Sequence, residues 1–197
     1  MAKLYFRYGT MDSAKTMNLL AVAHNYRKQG KVVMLLKPKI DVRFGEATIT
    51  SRSGLSAVAD VLVDADTELD PARFETVDCV LVDEAQFLSP FVVDQLRELT
   101  RSQRIPVICY GLRTDFQTRL FPGSRRLLEL ADTIEEVKVT CQHCSRKAVF
   151  NLRAQDGKAV LRGEQVMLGD VEQYEPVCWS HYVEAVLAAG GAWPMLE

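Results

Sequence analysis

The chain lacks long apolar runs, an excess of either charge, internal repeats and a large cysteine complement, and each absence removes a class of function. No apolar stretch in its 197 residues approaches the ~20 that a membrane-spanning helix needs. Lys and Arg number 24 against 26 Asp and Glu, a formal net charge of −2. With no basic stripe along the chain, that balance gives no electrostatic reason to bind nucleic acid or an anionic membrane. The opening residues, Met1 to Gly9, read as a buried strand and carry neither the apolar core nor the cleavage site of an export signal. Five cysteines in such a chain argue against a disulfide framework and leave metal binding open. What remains is a globular protein expected in the cytoplasm, with 48% hydrophobic residues to build a core and 25% charged residues to keep it dissolved.

What is present alternates between two periods. Leu4 to Tyr8 is a short apolar run, and a small-residue loop follows it. Lys15 to Gln29 then has helical spacing, with Leu19, Leu20, Ala23 and Tyr26 on one face and Gly30 as its stop. Val32 to Leu36, Cys79 to Val82 and Ile105 to Tyr110 read as strands buried on both faces. Ser89-Pro90 opens a helix on which Val93, Leu96 and Leu99 repeat, and Leu127 to Ala131 suggests another short one. Strands separated by helices imply right-handed crossovers and a mainly parallel sheet, an α/β fold with flanking helices. Lys37 to Gly54 has mixed charge and little periodicity, and is expected to form a mobile loop near the ligand. After about Val137 come a hairpin around Asp156-Gly157, a Gly-containing loop and a terminal helix from about Ser180 to Ala189. The expected division is a larger α/β domain over residues 1–137 and a small C-terminal domain over 138–197.

Gly9-Thr10-Met11-Asp12-Ser13-Ala14-Lys15-Thr16 lies between the first strand and the first helix, the context in which a phosphate-binding loop works. There successive backbone N–H groups point inward, and the helix N-terminus adds partial positive charge. Lys15 is expected to reach the β- and γ-phosphates of ATP, and the Thr16 hydroxyl to coordinate Mg²⁺. Ala14 stands where such loops carry glycine. If that position needs a positive φ, its Cβ costs ~1–2 kcal/mol. Each ~1.4 kcal/mol passed on to nucleotide affinity is about tenfold.

Val80-Leu81-Val82 is an apolar strand that ends in Asp83-Glu84. In a parallel sheet its C-terminal end lies beside the phosphate loop. Asp83 is then placed to hold Mg²⁺, directly or through water, and Glu84 to accept the proton of an attacking hydroxyl. Further on, Cys141-Gln142-His143-Cys144 and Cys178-Trp179-Ser180-His181 are two ligand pairs of equal spacing. They can place Cys141, Cys144, Cys178 and His181 tetrahedrally around a structural Zn²⁺ that ties the base of an extended loop. His143 is a rival ligand expected to face solvent, and Cys79 and Cys109 sit in apolar strands as core residues.

Taken in order, these motifs resemble the thymidine kinase family of the type that carries a zinc-bound lasso, and the likeness covers nearly the whole chain. That family's phosphate loop reads Gly-x-Met-x-Ser-Gly-Lys-Ser/Thr, and Gly9 to Thr16 fits except at Ala14. Asp83-Glu84-Ala85-Gln86-Phe87 matches its acidic strand end, and Tyr110 to Phe116 its substrate-side loop. Ile40-Asp41-Val42-Arg43-Phe44-Gly45 resembles its flexible Asp-x-Arg loop, and Tyr174 stands four residues before Cys178 as the lasso tyrosine does. The resemblance implies ATP-dependent phosphorylation of the thymidine 5′-hydroxyl with Glu84 as base, and groups Gln86 with the ATP-binding residues. It implies that backbone groups of Gln165, Val166, Met167 and Leu168 contact the thymine edge. Met11, Leu112 and Tyr174 are then expected around the base, with Phe116 and Phe121 lining the pocket, although the two phenylalanines could equally be core aromatics. A homotetramer and feedback inhibition by thymidine triphosphate are implied as well. Asn151 stands where the family carries threonine, and Gly169-Asp170 where it carries Gly-Gly. The alternative is a regulatory nucleotide-binding relative whose turnover is weakened or lost through Ala14.

Overall fold

The computed structural model describes residues 1–165 and 174–192. Six strands form one parallel sheet: β1 (Leu4–Tyr8), β2 (Val33–Pro38), β5 (Val61–Val63), β6 (Cys79–Val82), β7 (Val107–Gly111) and β8 (Thr133–Glu136). Their spatial order is β5-β2-β6-β7-β1-β8, with every pairing parallel. Such pairings demand crossovers. Helix α1 (Lys15–Lys28) joins β1 to β2, and α2 (Pro90–Ser102) joins β6 to β7. A third helix, α3 (Pro122–Leu130), joins β7 to β8.

Side chains of alternate strand residues face opposite layers. Leu36, Val80, Val82, Val107 and Cys109 pack with Val92, Val93, Leu96 and Leu99 of α2 and Leu127 of α3. Leu35, Cys79, Leu81 and Ile108 face the other way, onto Leu19, Leu20 and Ala23 of α1. The two strand cysteines are therefore core residues, and burial pushes both thiols far above the usual range. Ser89 caps α2 by accepting from the Val92 N–H at 3.3 Å, with Pro90 as the first helical residue.

The expected elements shift at their ends. α3 starts five residues before the expected Leu127, because Pro122 can open a helix without losing a bond. The stretch Lys37 to Gly54, expected as one irregular loop, is partly regular. Lys37 and Pro38 finish β2, and β3 (Thr48–Thr50) pairs antiparallel with β4 (Ser56–Val58). Lys37 is 1% exposed, and its ammonium donates to Gly45 O at 3.1 Å and Thr48 O at 2.7 Å, with Asp41 Oδ2 3.6 Å away. One buried lysine thus ties down the segment that carries Asp41 and Arg43.

Beyond β8 a smaller antiparallel sheet runs β10-β9-β11, from β9 (Phe150–Gln155), β10 (Lys158–Ala159) and β11 (Tyr174–Val177). Asp156 and Gly157, at φ 51° and 74°, make the β9–β10 turn, as hairpin geometry asks. Helix α4 (Trp179–Ala188) packs on this sheet through Tyr182 and Val186, beside Cys141, Leu152, Val177 and Cys178.

Candidate active site and metal centre

All the strand ends of interest open on one edge of the parallel sheet, the carboxyl edge where ligands of open α/β sheets bind. After β1 the chain makes a tight turn into α1. Gly9 is needed there, since a Cβ would sit 2.4 Å from Ser13 Oγ and 2.5 Å from Val137 O. Two residues of the turn are left-handed, Asp12 at φ 62° and Ala14 at φ 60°. Ala14 therefore does occupy a backbone conformation that favours glycine, as the N-cap of α1. Lys15 Nζ folds back to donate to Thr10 O at 2.6 Å and reaches Ser13 Oγ at 3.3 Å. Burial pushes the Lys15 ammonium down to about 8, against the pull of Glu84 and Asp83.

Asp83 and Glu84 stand across from this turn. Thr16 Oγ1 donates to Asp83, 3.2 Å from Oδ1 and 3.1 Å from Oδ2, which joins the start of α1 to the end of β6. Burial, and then the adjacent Glu84 charge, raise Asp83 well above the usual carboxylate range. A bound cation between Thr16 and Asp83 would relieve that cost, so the donor set suits a hard metal such as Mg²⁺. Glu84 is itself left-handed at φ 48°. Its Oε1 accepts from Arg43 Nη2 at 2.5 Å and its Oε2 from Gln86 Nε2 at 2.5 Å. Gln86 in turn accepts from the Leu112 N–H at 2.9 Å. Burial works against the Arg43 charge, but Glu84 and Asp41 more than restore it.

A cleft of about 280 Å³ brings Met11 to Thr16 together with Asp41, Arg43, Asp83, Glu84 and Leu112. Other expected residues lie elsewhere. Gly9 and Thr10 border a small neighbouring hollow with Asn151, whose Oδ1 accepts from the Met11 N–H at 2.7 Å. Phe116 and Phe121 line no part of the cleft. They are core residues, 2% and 3% exposed, with Phe121 edge-on to Phe87 and Arg153 over the Phe116 ring. Tyr174 is half-buried on β11, 6.0 Å from the Arg153 guanidinium. Gln165 Nε2 donates to the buried Asp115 at 3.0 Å, and Asp115 also accepts the N–H groups of Gln117 and Arg119. Val166, Met167, Leu168, Gly169 and Asp170 lie outside the described residues.

Lys37, Asp115 and Arg52 carry no local motif that marks them as site residues, yet Arg52 also lines the cleft from the β3–β4 turn. A lysine closing an apolar strand was the available signal for Lys37. Asp115 lay in a segment already singled out.

The metal-ligand pairs converge as their spacing implies. Ligand atoms of Cys141, Cys144, Cys178 and His181 all lie within 4.8 Å of one another. His181 Nδ1 is 3.3 Å from Cys141 Sγ and 3.4 Å from Cys178 Sγ, and Cys144 Sγ is 3.9 Å from Cys178 Sγ. Tetrahedral zinc with these ligands sets donor edges of ~3.5–3.8 Å, so the group fits Zn²⁺. His143 points elsewhere and meets Glu175 Oε2 at 2.9 Å.

The parallel sheet, with this turn and acidic pair at its carboxyl edge, defines an α/β protein of the phosphate-loop type. Comparison with known sequences narrows the class. The profile of the thymidine kinase family matches residues 2–182. Curated thymidine kinases of Lactococcus lactis and Streptococcus pyogenes serotype M28 are 45% and 44% identical over 189 and 187 residues, 92% of this chain and 97% of their own. That of Streptococcus gordonii is 45% identical over 184 residues, 92% of this chain and 96% of its own. The chain belongs to the thymidine kinase family and is a kinase. Among solved structures, the Pif1 helicase of Candida albicans aligns over 69% of this chain and 36% of its own at 12% identity, a TM-score of 0.42 that is too loose to bear on function. No helix among the described residues is long and apolar enough to cross a membrane.

Proposed function

We propose that this chain transfers the γ-phosphoryl group of MgATP to the 5′-hydroxyl of thymidine, and less readily of deoxyuridine, giving thymidine monophosphate for nucleotide salvage. The observation that carries this reading is the meeting of Lys15, Thr16, Asp83 and Glu84 around one cleft, with Thr16 Oγ1 3.1 Å from Asp83.

The turn from Gly9 to Thr16 cradles the triphosphate with its backbone N–H groups. Lys15 exchanges Thr10 O for phosphate oxygens, whose charge holds on the proton that burial loosens. Thr16 and Asp83 would hold Mg²⁺, which would supply neutralisation of the charge developing on the phosphate oxygens. Glu84 accepts the 5′-hydroxyl proton, with Gln86 orienting one carboxylate oxygen and Asp41 and Arg43 bordering the site. Met11, Leu112 and Tyr174 surround the base, backbone groups from Gln165 to Leu168 read its edge, and Phe116 and Phe121 support the pocket from the core. Zn²⁺ on Cys141, Cys144, Cys178 and His181 is structural, and residues 1–137 and 138–197 act as two domains. A cytoplasmic homotetramer inhibited by thymidine triphosphate completes the reading.

A regulatory relative without turnover is the less supported alternative. A sensor needs no placed base, yet Glu84 is held by two partners at the cleft. A coupled kinase assay over a nucleoside panel tests the choice. Preferential phosphorylation of thymidine is expected. Normal ATP binding with no turnover of any nucleoside rejects the enzyme in favour of the regulatory relative.

A further inference from the structure

Phosphoryl transfer spreads negative charge over the oxygens of the group in flight, and a site that catalyses it must supply cations there. Three cationic side chains face the cleft, Lys15, Arg43 and Arg52, against the carboxylates of Asp12, Asp41, Asp83 and Glu84. Arg43 is clasped twice, by Asp41 Oδ1 at 2.6 Å and Glu84 Oε1 at 2.5 Å. Lys15 belongs to the phosphate turn itself. Arg52 is differently placed. It rides on the β3–β4 turn, which is closed by its own bonds, Ser51 N–H to Leu55 O at 2.8 Å and Gly54 N–H to Ser51 O at 3.0 Å. From there Arg52 pairs with Asp12 of the phosphate turn, with side chains 50% and 35% exposed.

An exposed ion pair of that kind contributes little net stability, so its partner can be exchanged cheaply. A guanidinium gains geometrically from the exchange, because its planar fork matches two phosphate oxygens. Partial burial lowers the Arg52 pKa while Glu84 opposes the shift, so this cation stands to gain from a further anion.

We propose that Arg52 is a further catalytic residue of the phosphoryl transfer, leaving Asp12 when the triphosphate binds and contacting oxygens of the γ-phosphoryl group. Asp12 is then the partner that holds the arm in the ligand-free protein. This rests on the ATP-dependent kinase reading. The competing role is passive: Arg52 merely cancels the Asp12 charge so that the turn does not repel the triphosphate.

Steady-state kinetics on Arg52→Ala, Arg52→Lys, Asp12→Asn and the Arg52→Ala/Asp12→Asn double variant separate the two roles. Arg52→Ala is expected to lower kcat by ~10²-fold, with the thermal midpoint unchanged and the Kd for ATP within about threefold. Arg52→Lys should recover part of that loss. In the Asp12→Asn background, Arg52→Ala should lower kcat by a similar factor. A double variant as fast as Asp12→Asn alone overturns the proposal, as does an Arg52→Ala enzyme with normal kcat and weakened ATP binding. Should Asp12→Asn prove inactive, the kcat-against-Kd split of the single Arg52→Ala variant decides. An inactive parent chain rejects the kinase reading, and this inference with it.

Discussion

Arg43 donates from Nη2 to Glu84 Oε1 at 2.5 Å, joining the segment after β2 to the acidic end of β6. The same guanidinium donates from Nε to Asp41 Oδ1 at 2.6 Å, and buried Lys37 lies 3.6 Å from the other Asp41 oxygen. Lys37, Asp41, Arg43 and Glu84 thus form a line of alternating charge from the sheet to the cleft. Glu84 stands at its end on a left-handed backbone, a conformation that surrounding contacts must hold in place.

Asp41 makes that line sensitive to acid. Burial alone raises its pKa, but Arg43 and Lys37 hold it below the usual carboxylate value. A carboxylate more acidic in the folded state stabilises the fold above its unfolded pKa, and the contribution fades as the pH falls through the folded value. Asp41→Asn should therefore cost ~1–3 kcal/mol at pH 7 in denaturant unfolding, and the gap should narrow once the pH drops below ~4. A gap of constant size from pH 7 to pH 3 contradicts this.

Ala14 carries strain that can be relieved. Its φ of 60° costs a residue with a Cβ ~1–2 kcal/mol, while glycine adds ~0.5–1 kcal/mol of unfolded-state entropy. Ala14→Gly should gain the difference, ~0–1.5 kcal/mol, shared between stability and ATP affinity. Unfolding midpoints and a nucleotide titration measure both; a loss in each shows that the turn tolerates the methyl group.

Zinc should hold the C-terminal sheet and α4 together. Each purified chain should carry one zinc, and chelation should expose amides of residues 141–152 and 174–188 to hydrogen exchange before those of the parallel sheet. Metal-free protein with unchanged exchange refutes the assignment.

Much of this was legible because it was local. The turn from Gly9 to Thr16, the run Cys79 to Val82 and the two ligand pairs each announce themselves within eight residues. What was missed depends on distant partners. Lys37 looks like a surface lysine until Gly45 and Thr48 fold over it, and Arg52 until the β3–β4 turn reaches the phosphate loop. β5 and β8 are three and four residues long, and the two glutamates of β8 mask its strand character. Phe116 and Phe121 are 2% and 3% exposed, in line with the core packing that their sequence left open beside pocket lining.

The most direct test compares the native chain with Glu84→Gln in ATP-dependent phosphorylation of thymidine, alongside the Kd for ATP. Native turnover is expected, with kcat falling ~10²–10⁴-fold in the variant and the ATP Kd within about threefold. Near-normal turnover by Glu84→Gln would exclude Glu84 as the base, and a native chain that binds ATP but never phosphorylates thymidine would contradict the account as a whole.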